Sequence, residues 1–321
     1  MPRVKIVGAG QLGSRHLQAL QAIREPLEIQ VIDPSTDSLK VAEERFHAVA
    51  GETRHQVRFT REVDATGPTD IAIVATSANT RRQAAEALLA ASSVRYLVLE
   101  KLLFAKREDY AGFAQALAGT ATQAWVNCPM RMMPPYERIR AALTGEPLHY
   151  RVHGSKYGLV TNAIHYLDHV AHLSGCTDYK VDTSGLDRSP IDSKRAGFLE
   201  LNGTLTAAFA DGSRAELTCL AQGDAPVVVE IFTPSRRFIV RESEGKLWTA
   251  TSKGQWAWDE QEARIPYQSQ MTTQVVQELL DKGRCSLSPF ADSVRIHLAL
   301  LDPLLGMLRT QRPELDHYPF T

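Results

Sequence analysis

Apolar and polar positions follow one rhythm over the first 128 residues and another over the rest. Early in the chain, short apolar runs alternate with stretches in which apolar residues return every three or four positions. Residues 4–7, 27–32, 57–59, 70–75, 96–99 and 123–127 read as strands, and residues 12–23, 39–49, 80–91 and 106–117 read as helices. The run Asp70-Ile71-Ala72-Ile73-Val74-Ala75 is almost continuously apolar, as expected of a strand covered on both faces of a parallel sheet. Regular alternation of such strands with helices predicts a doubly wound α/β sheet, with ligands at the carboxyl ends of the strands.

Beyond residue 128 the rhythm changes. Pro129, Pro134 and Pro135 punctuate the chain, residues 136–143 and 163–173 read as helices, and residues 148–153 alternate like a strand. Residues 198–258 hold about six strand-like runs, 205–209, 215–220, 227–232 and 237–240 among them, with turn signals at Asn202-Gly203, Asp211-Gly212 and Glu244-Gly245. Helices at 272–280 and 290–308 close the chain. This is the pattern of a largely antiparallel sheet with helices on one face. A chain of 321 residues is long for a single core, so two domains are expected, 1–125 and 126–321.

Composition narrows the function classes. Hydrophobic residues make up 44% and charged residues 23%, the balance of a soluble globular protein. With 36 Lys plus Arg against 37 Asp plus Glu, nothing electrostatic calls for nucleic acid or an anionic membrane as partner. No apolar run nears the roughly 20 residues that span a bilayer. The N-terminus enters a strand directly, so no signal peptide is expected. Cys128, Cys176, Cys219 and Cys285 lie far apart with no C-x-x-C pair, which argues against a disulfide framework and for a reducing cytoplasm.

The first strand runs straight into Gly8-Ala9-Gly10-Gln11-Leu12-Gly13, a G-x-G-x-x-G spacing between strand and helix. In such a turn Gly8 allows the tight bend, Gly10 lets a pyrophosphate approach the backbone, and Gly13 lets helix and strand pack closely. The helix start at Gln11 and Leu12 offers N–H groups and a partial positive charge to phosphates. Asp33 lies 20 positions after Gly13, at the end of the second strand. A carboxylate there can accept from a ribose 2′-hydroxyl and would repel a 2′-phosphate, so NAD is expected over NADP; the alternative is a solvated turn aspartate. Thr76 and Asn79, in the turn after the fourth strand, and Lys101, just after the fifth, fall at the same edge.

Lys101 is a candidate for sharing proton transfer, with an ordinary surface lysine as the alternative. In Tyr157-Gly158-Leu159-Val160-Thr161-Asn162-Ala163-Ile164-His165, His165 could take a hydroxyl proton, and Asn162 and Asp168 share its helical side at i−3 and i+3. Asn162 could bond a sugar-like polyol, Tyr157 could help position it, and Asp168 could orient the imidazole. His165, Asp168, His169 and His172 also sit at plausible metal-ligand spacing, but no further ligand set is recognisable, so no metal is expected. Arg131 could meet an anionic substrate group or form a structural salt bridge. Arg15 and His16 read as helix-surface or cofactor-adjacent residues without a catalytic role.

Together these residues resemble the glucose–fructose oxidoreductase / inositol dehydrogenase (Gfo/Idh/MocA) family. Gly8-Ala9-Gly10-Gln11-Leu12-Gly13-Ser14-Arg15-His16 carries the resemblance first. Leu99-Glu100-Lys101-Leu102 is similar to the family's Glu-Lys-Pro motif, the Asn162…His165-x-x-Asp168 helix to that of its catalytic histidine, and residues 288–297 to its closing helix. The resemblance implies a Rossmann domain followed by an α/β domain with an open sheet, often used to form dimers or tetramers. It implies reversible NAD(P)-dependent oxidation of a sugar, nucleotide-sugar or cyclitol, with Glu100 and Lys101 at the cofactor, Lys101 also at the substrate, and His165 as acid/base. Two positions depart from the pattern. Leu102 replaces the proline, and Thr161 stands where many members carry an aspartate four residues before the histidine. A threonine cannot ionise at neutral pH, so a relay through that position must differ or be absent. Two further readings stay open: a non-catalytic dinucleotide-binding regulator on the same fold, and reduction of an imine or enone.

Overall fold

The computed structural model describes residues 1–49, 53–64 and 67–321. The chain forms two compact units, Met1–Asn127 with Pro266–Ala291, and Cys128–Ile265 with Asp292–Thr321.

In the first unit β1 (Arg3–Val7), α1 (Gln11–Leu20), β2 (Glu28–Ile32), α2 (Thr36–His47), β3 (Gln56–Thr60), β4 (Thr69–Val74), α3 (Ala78–Ala91), β5 (Val94–Leu99), α4 (Arg107–Ala118) and β6 (Gln123–Val126) alternate as the apolar pattern requires. The six strands are parallel, in the order β3-β2-β1-β4-β5-β6. Ile6, Val31, Ile71, Ile73, Leu97 and Leu99 are buried, so the central strands are covered on both faces. The order reverses direction at β1 and β4, and α1 begins beside that switch point. A dinucleotide-binding crevice forms at such a place.

The second unit contains α5 (Pro134–Ala142), β7 (His149–Ser155), α6 (Leu159–Ser174), β8 (Tyr179–Asp182), the short pair β9 (Ile191–Asp192) and β10 (Leu199–Glu200), then β11 (Gly203–Phe209), β12 (Arg214–Leu220), β13 (Val228–Phe232), β14 (Arg236–Arg241), β15 (Lys246–Thr251) and β16 (Asp259–Glu262). Its eight-stranded sheet runs β16-β15-β14-β13-β7-β12-β11-β8 and is antiparallel except for the pairing of β7 with β12. Tyr150, Val152, Leu217, Val229, Ile231 and Val240 point to the buried face, while Arg151, Glu216 and Glu230 stand on the other. Asp211-Gly212 and Glu244-Gly245 close turns between neighbouring strands. Asn202-Gly203 does not: Gly203 already pairs with Cys219 in β11.

The chain then returns to the first unit as α7 (Gln268–Lys282) and β17 (Ser288–Pro289), which pairs antiparallel with β6; α8 (Phe290–Arg309) follows. Residues 266–291 thus group with the Rossmann unit, apart from the residues that flank them in the chain. The helix pattern of α7 carries no mark of which sheet it covers. Among the described residues no helix is long and apolar enough to cross a membrane.

Candidate dinucleotide and acid–base sites

Each glycine of the opening turn occupies a distinct environment. Gly8 has φ of +96°, and a Cβ there would lie 3.0 Å from the Ala75 carbonyl carbon and the Thr76 nitrogen. A Cβ on Gly13 would stand 1.7 Å from the Gly8 carbonyl oxygen. Gly10 is different: a Cβ there meets nothing within 4 Å. It is the N-cap of α1, and no side chain caps that helix. The first N–H groups of α1, those of Gln11 and Leu12 among them, are thus left for a ligand, beside a backbone that a diphosphate could approach. The Thr76 hydroxyl, next to Gly8, is buried without a hydrogen-bond partner among the described residues.

Asp33 ends β2 at this turn. Its carboxylate accepts from the Ala9 N–H at 2.7 Å and from the Ser35 N–H at 2.9 Å. A half-buried carboxylate is thereby held against the glycine turn instead of facing bulk water. Asn79 opens α3 at the end of β4; it is exposed, and its amide oxygen accepts from the Ser77 hydroxyl at 2.7 Å.

Glu100 does not reach outward toward a cofactor. It is 2% exposed and its carboxylate receives Nε2 of His16 at 2.8 Å and the Asn127 amide at 2.6 Å. Burial alone would raise its pKa, but the His16 hydrogen bond and charge, the Asn127 amide and the nearby Arg81 outweigh it and bring it to about 2. His16, 1% exposed, is correspondingly no surface residue; its other nitrogen lies 2.8 Å from the Thr272 hydroxyl of α7. Arg81 carried no signal in the sequence, where Thr80-Arg81-Arg82 looks like a solvated helix start. It is buried, and its guanidinium donates to the carbonyls of Thr76, Leu102 and Leu103, tying the loop after β4 to the loop after β5. Lys101 is half-buried in the second of these loops, and the Lys101–Leu102 peptide bond is cis.

In the second unit α6 begins at Leu159, so Asn162 lies in its first turn. Gly158 caps it with φ of +79°, and the Asn162 amide donates to the Tyr157 and Gly158 carbonyls at 2.6 and 3.0 Å. The amide nitrogen is spent on the loop and the amide oxygen remains as an acceptor. Ala163, Ile164, Leu167 and Val170 are buried, whereas His165 is half-buried. The Tyr157 hydroxyl is buried with no partner among the described residues, and burial pushes its pKa up, so it stays a neutral donor.

Arg131 and Asp168 are brought together as a pair. Arg131 Nε and Nη2 donate to the two Asp168 oxygens at 3.0 and 2.8 Å, and Asp168 is 1% exposed. Of the alternatives for Arg131, this is the structural salt bridge. Asp168 thus holds Arg131 through both of its carboxylate oxygens. His169 is buried with Nδ1 2.9 Å from the Tyr150 hydroxyl, and burial holds its pKa well below the usual histidine range. Burial, with Arg131 and Arg140 nearby, lowers His172 to about 3. Among the described residues no group of three or more His, Cys, Asp or Glu side chains is placed to hold a metal ion.

These two neutral imidazoles give a pH dependence. The unfolded chain takes up protons below about pH 6.5, whereas the folded chain binds none at His172 until about pH 3, so acid favours unfolding across that window. The urea midpoint should fall between pH 7 and pH 5, and less steeply in His172→Gln. Equal slopes in the two proteins would remove His172 from the account.

Fold and turn together define a dinucleotide-binding Rossmann unit. The model of the Gfo/Idh/MocA oxidoreductase family, NAD-binding Rossmann fold, matches residues 2–128 of the chain. The whole chain resembles several solved structures in fold. An oxidoreductase from Agrobacterium radiobacter, in complex with NAD+, L-tartaric acid and magnesium, is 14% identical, with a TM-score of 0.74 and 97% of each chain covered. UDP-N-acetylglucosamine 3-dehydrogenase GnnA from Acidithiobacillus ferrooxidans is 16% identical, with a TM-score of 0.73 over 95% of this chain and 97% of the other. A super-repressor mutant of Gal80p from Saccharomyces cerevisiae is 11% identical, with a TM-score of 0.72 over 97% and 96%. No curated protein matches the chain in sequence.

Proposed function

We propose that the protein is an NAD-dependent dehydrogenase acting on a secondary alcohol, or the corresponding ketone, of a sugar, nucleotide-sugar or cyclitol. The observation that carries this reading is the cradle at the switch point: an uncapped α1 N-terminus, Gly10 with open space at its Cβ position, and the Asp33 carboxylate held to Ala9. Gly8, Gly10, Gln11, Leu12 and Gly13 would hold the diphosphate, Asp33 the ribose, and Thr76 and Asn79 the edge after β4. The bound dinucleotide supplies or accepts the hydride. His165 moves the proton of the reacting hydroxyl, and the Lys101 ammonium stabilises negative charge developing on that oxygen. Tyr157 and the Asn162 amide oxygen hydrogen-bond the polyol. The known substrate class of GnnA supports a sugar-like substrate. A cytoplasmic homo-oligomer, dimer or tetramer, formed through the sheet of the second unit completes the proposal.

NADH affinity measured by fluorescence, followed by turnover across a panel of polyols, sugars and nucleotide-sugars, tests this reading. A second reading, a non-catalytic dinucleotide-binding regulator, is favoured by the Leu102 and Thr161 departures and by the likeness to Gal80p. Tight NADH binding without turnover on any of the panel would decide for it. The cofactor assignment has its own test. Asp33→Ala should lower the preference for NAD over NADP by about tenfold, the ~1.4 kcal/mol of one charge-assisted hydrogen bond. Unchanged selectivity would remove Asp33 from the ribose site.

A further inference from the structure

Thr161 stands one helical turn before His165, where the sequence lacks an ionisable group. The structure places a carboxylate there from elsewhere in the chain. Glu200, in β10, is 6% exposed. One of its oxygens accepts from the Val160 N–H at 2.9 Å; the other accepts from the Thr161 N–H at 3.0 Å and from the Thr161 hydroxyl. These are donors of the first turn of α6, a helix whose own N-cap, Gly158, has no side chain to satisfy them. A Cβ at Gly158 would lie 3.2 Å from the same Glu200 oxygen, so the glycine leaves room for the carboxylate as well as supplying the positive φ. Asn162 ties the incoming loop from the other side through the Tyr157 and Gly158 carbonyls.

We infer that Glu200 is a positioning residue for the acid–base histidine, acting through Thr161; this rests on the proposed role of His165. Thr161 and His165, at i and i+4, lie on the same face of α6. Fixing the first turn fixes the phase and starting point of the helix, and so the direction in which His165 leaves it. An acceptor-only carboxylate at an N-terminus also opposes the helix dipole. The threonine is then a functional partner and no mere loss of an acid: its hydroxyl gives Glu200 a further hydrogen bond that valine could not. Glu200 itself touches neither cofactor nor reacting atoms in this account.

The test compares Glu200→Gln, Thr161→Val, Thr161→Ser and His165→Ala in the full-length protein, reading kcat, the KM of each substrate, NADH affinity, and amide exchange over residues 158–165. Glu200→Gln and Thr161→Val should lose at least tenfold in kcat and exchange faster over the first turn of α6, with NADH affinity within about twofold. Thr161→Ser, which keeps the hydroxyl, should recover most of the loss. If Glu200→Gln does not fold, the Thr161→Val and Thr161→Ser pair carries the same comparison. Turnover within threefold of the parent in both Glu200→Gln and Thr161→Val, while His165→Ala is inactive, would overturn the role of Glu200 alone. Turnover retained in His165→Ala would overturn the reading of the histidine on which it rests.

Discussion

His165→Ala is expected to lose about 10²- to 10⁴-fold in kcat, the usual contribution of a positioned general acid or base. NADH affinity should stay within about twofold. The two expectations come from separate parts of the chain. The glycine turn and Asp33 belong to the first unit, and their hydrogen bonds are made within it. His165 is held by α6 in the second unit, where Ile164 and Leu167 anchor the buried side of the helix and leave the imidazole half-buried. Truncation at a half-buried position leaves that apolar side in place, so folding should survive. Steady-state kinetics with the best substrate of the panel, beside a fluorescence titration of NADH, reads both quantities. Activity surviving within about threefold, roughly 0.7 kcal/mol of barrier, would show that His165 is not the acid/base.

What the sequence disclosed follows a physical division between local and distant causes. The glycine turn, Asp33 and the alternation from β1 to β6 were legible because each is dictated by nearby residues: a strand period, a helix period, and glycines at set offsets. Partners brought together by the fold were not. Glu200 meets Thr161 across 39 positions, Glu100 meets His16 across 84, and Thr272 meets His16 across 256. Local patterns could suggest that Glu100, Arg131 and Asp168 were chemically interesting, but not that each would be spent on a buried neighbour. Edge strands escaped for a different reason. In β16 the sequence Asp259-Glu260-Gln261-Glu262 has no apolar member, and only its backbone pairing with β15 makes it a strand. Charged residues suit such an edge, since they discourage pairing with further chains.

The glycine turn offers the sharpest separation of folding from binding. Gly13→Ala is expected to be among the most damaging single changes in the first unit. Its Cβ would stand 1.7 Å from the Gly8 carbonyl oxygen, which is backbone and cannot swing aside as a side chain would. Relief requires moving α1 away from β1, loosening contacts of Leu17 and Leu20, both buried without measurable exposure. Overpacking in cores ordinarily costs about 1–3 kcal/mol, and an immovable backbone partner puts this case at about 4 kcal/mol or more. For a unit of this size that is a fall of roughly 10 °C in melting temperature, with NADH binding lost alongside. Gly10→Ala should behave oppositely. Its φ of −65° suits alanine, and the new methyl meets nothing within 4 Å. The melting temperature should therefore stay within about 2 °C, a shift of well under 1 kcal/mol. The methyl would, however, occupy the space through which a diphosphate reaches the α1 N–H groups, so NADH affinity should fall at least tenfold, about 1.4 kcal/mol. Calorimetry with and without NADH separates the cases, because a bound ligand raises the melting temperature only of a protein that still binds it. A Gly10→Ala protein stabilised by NADH as strongly as the parent would mean that the diphosphate does not lie over Gly10, and the cradle would have to be sought elsewhere along the carboxyl edge of the sheet.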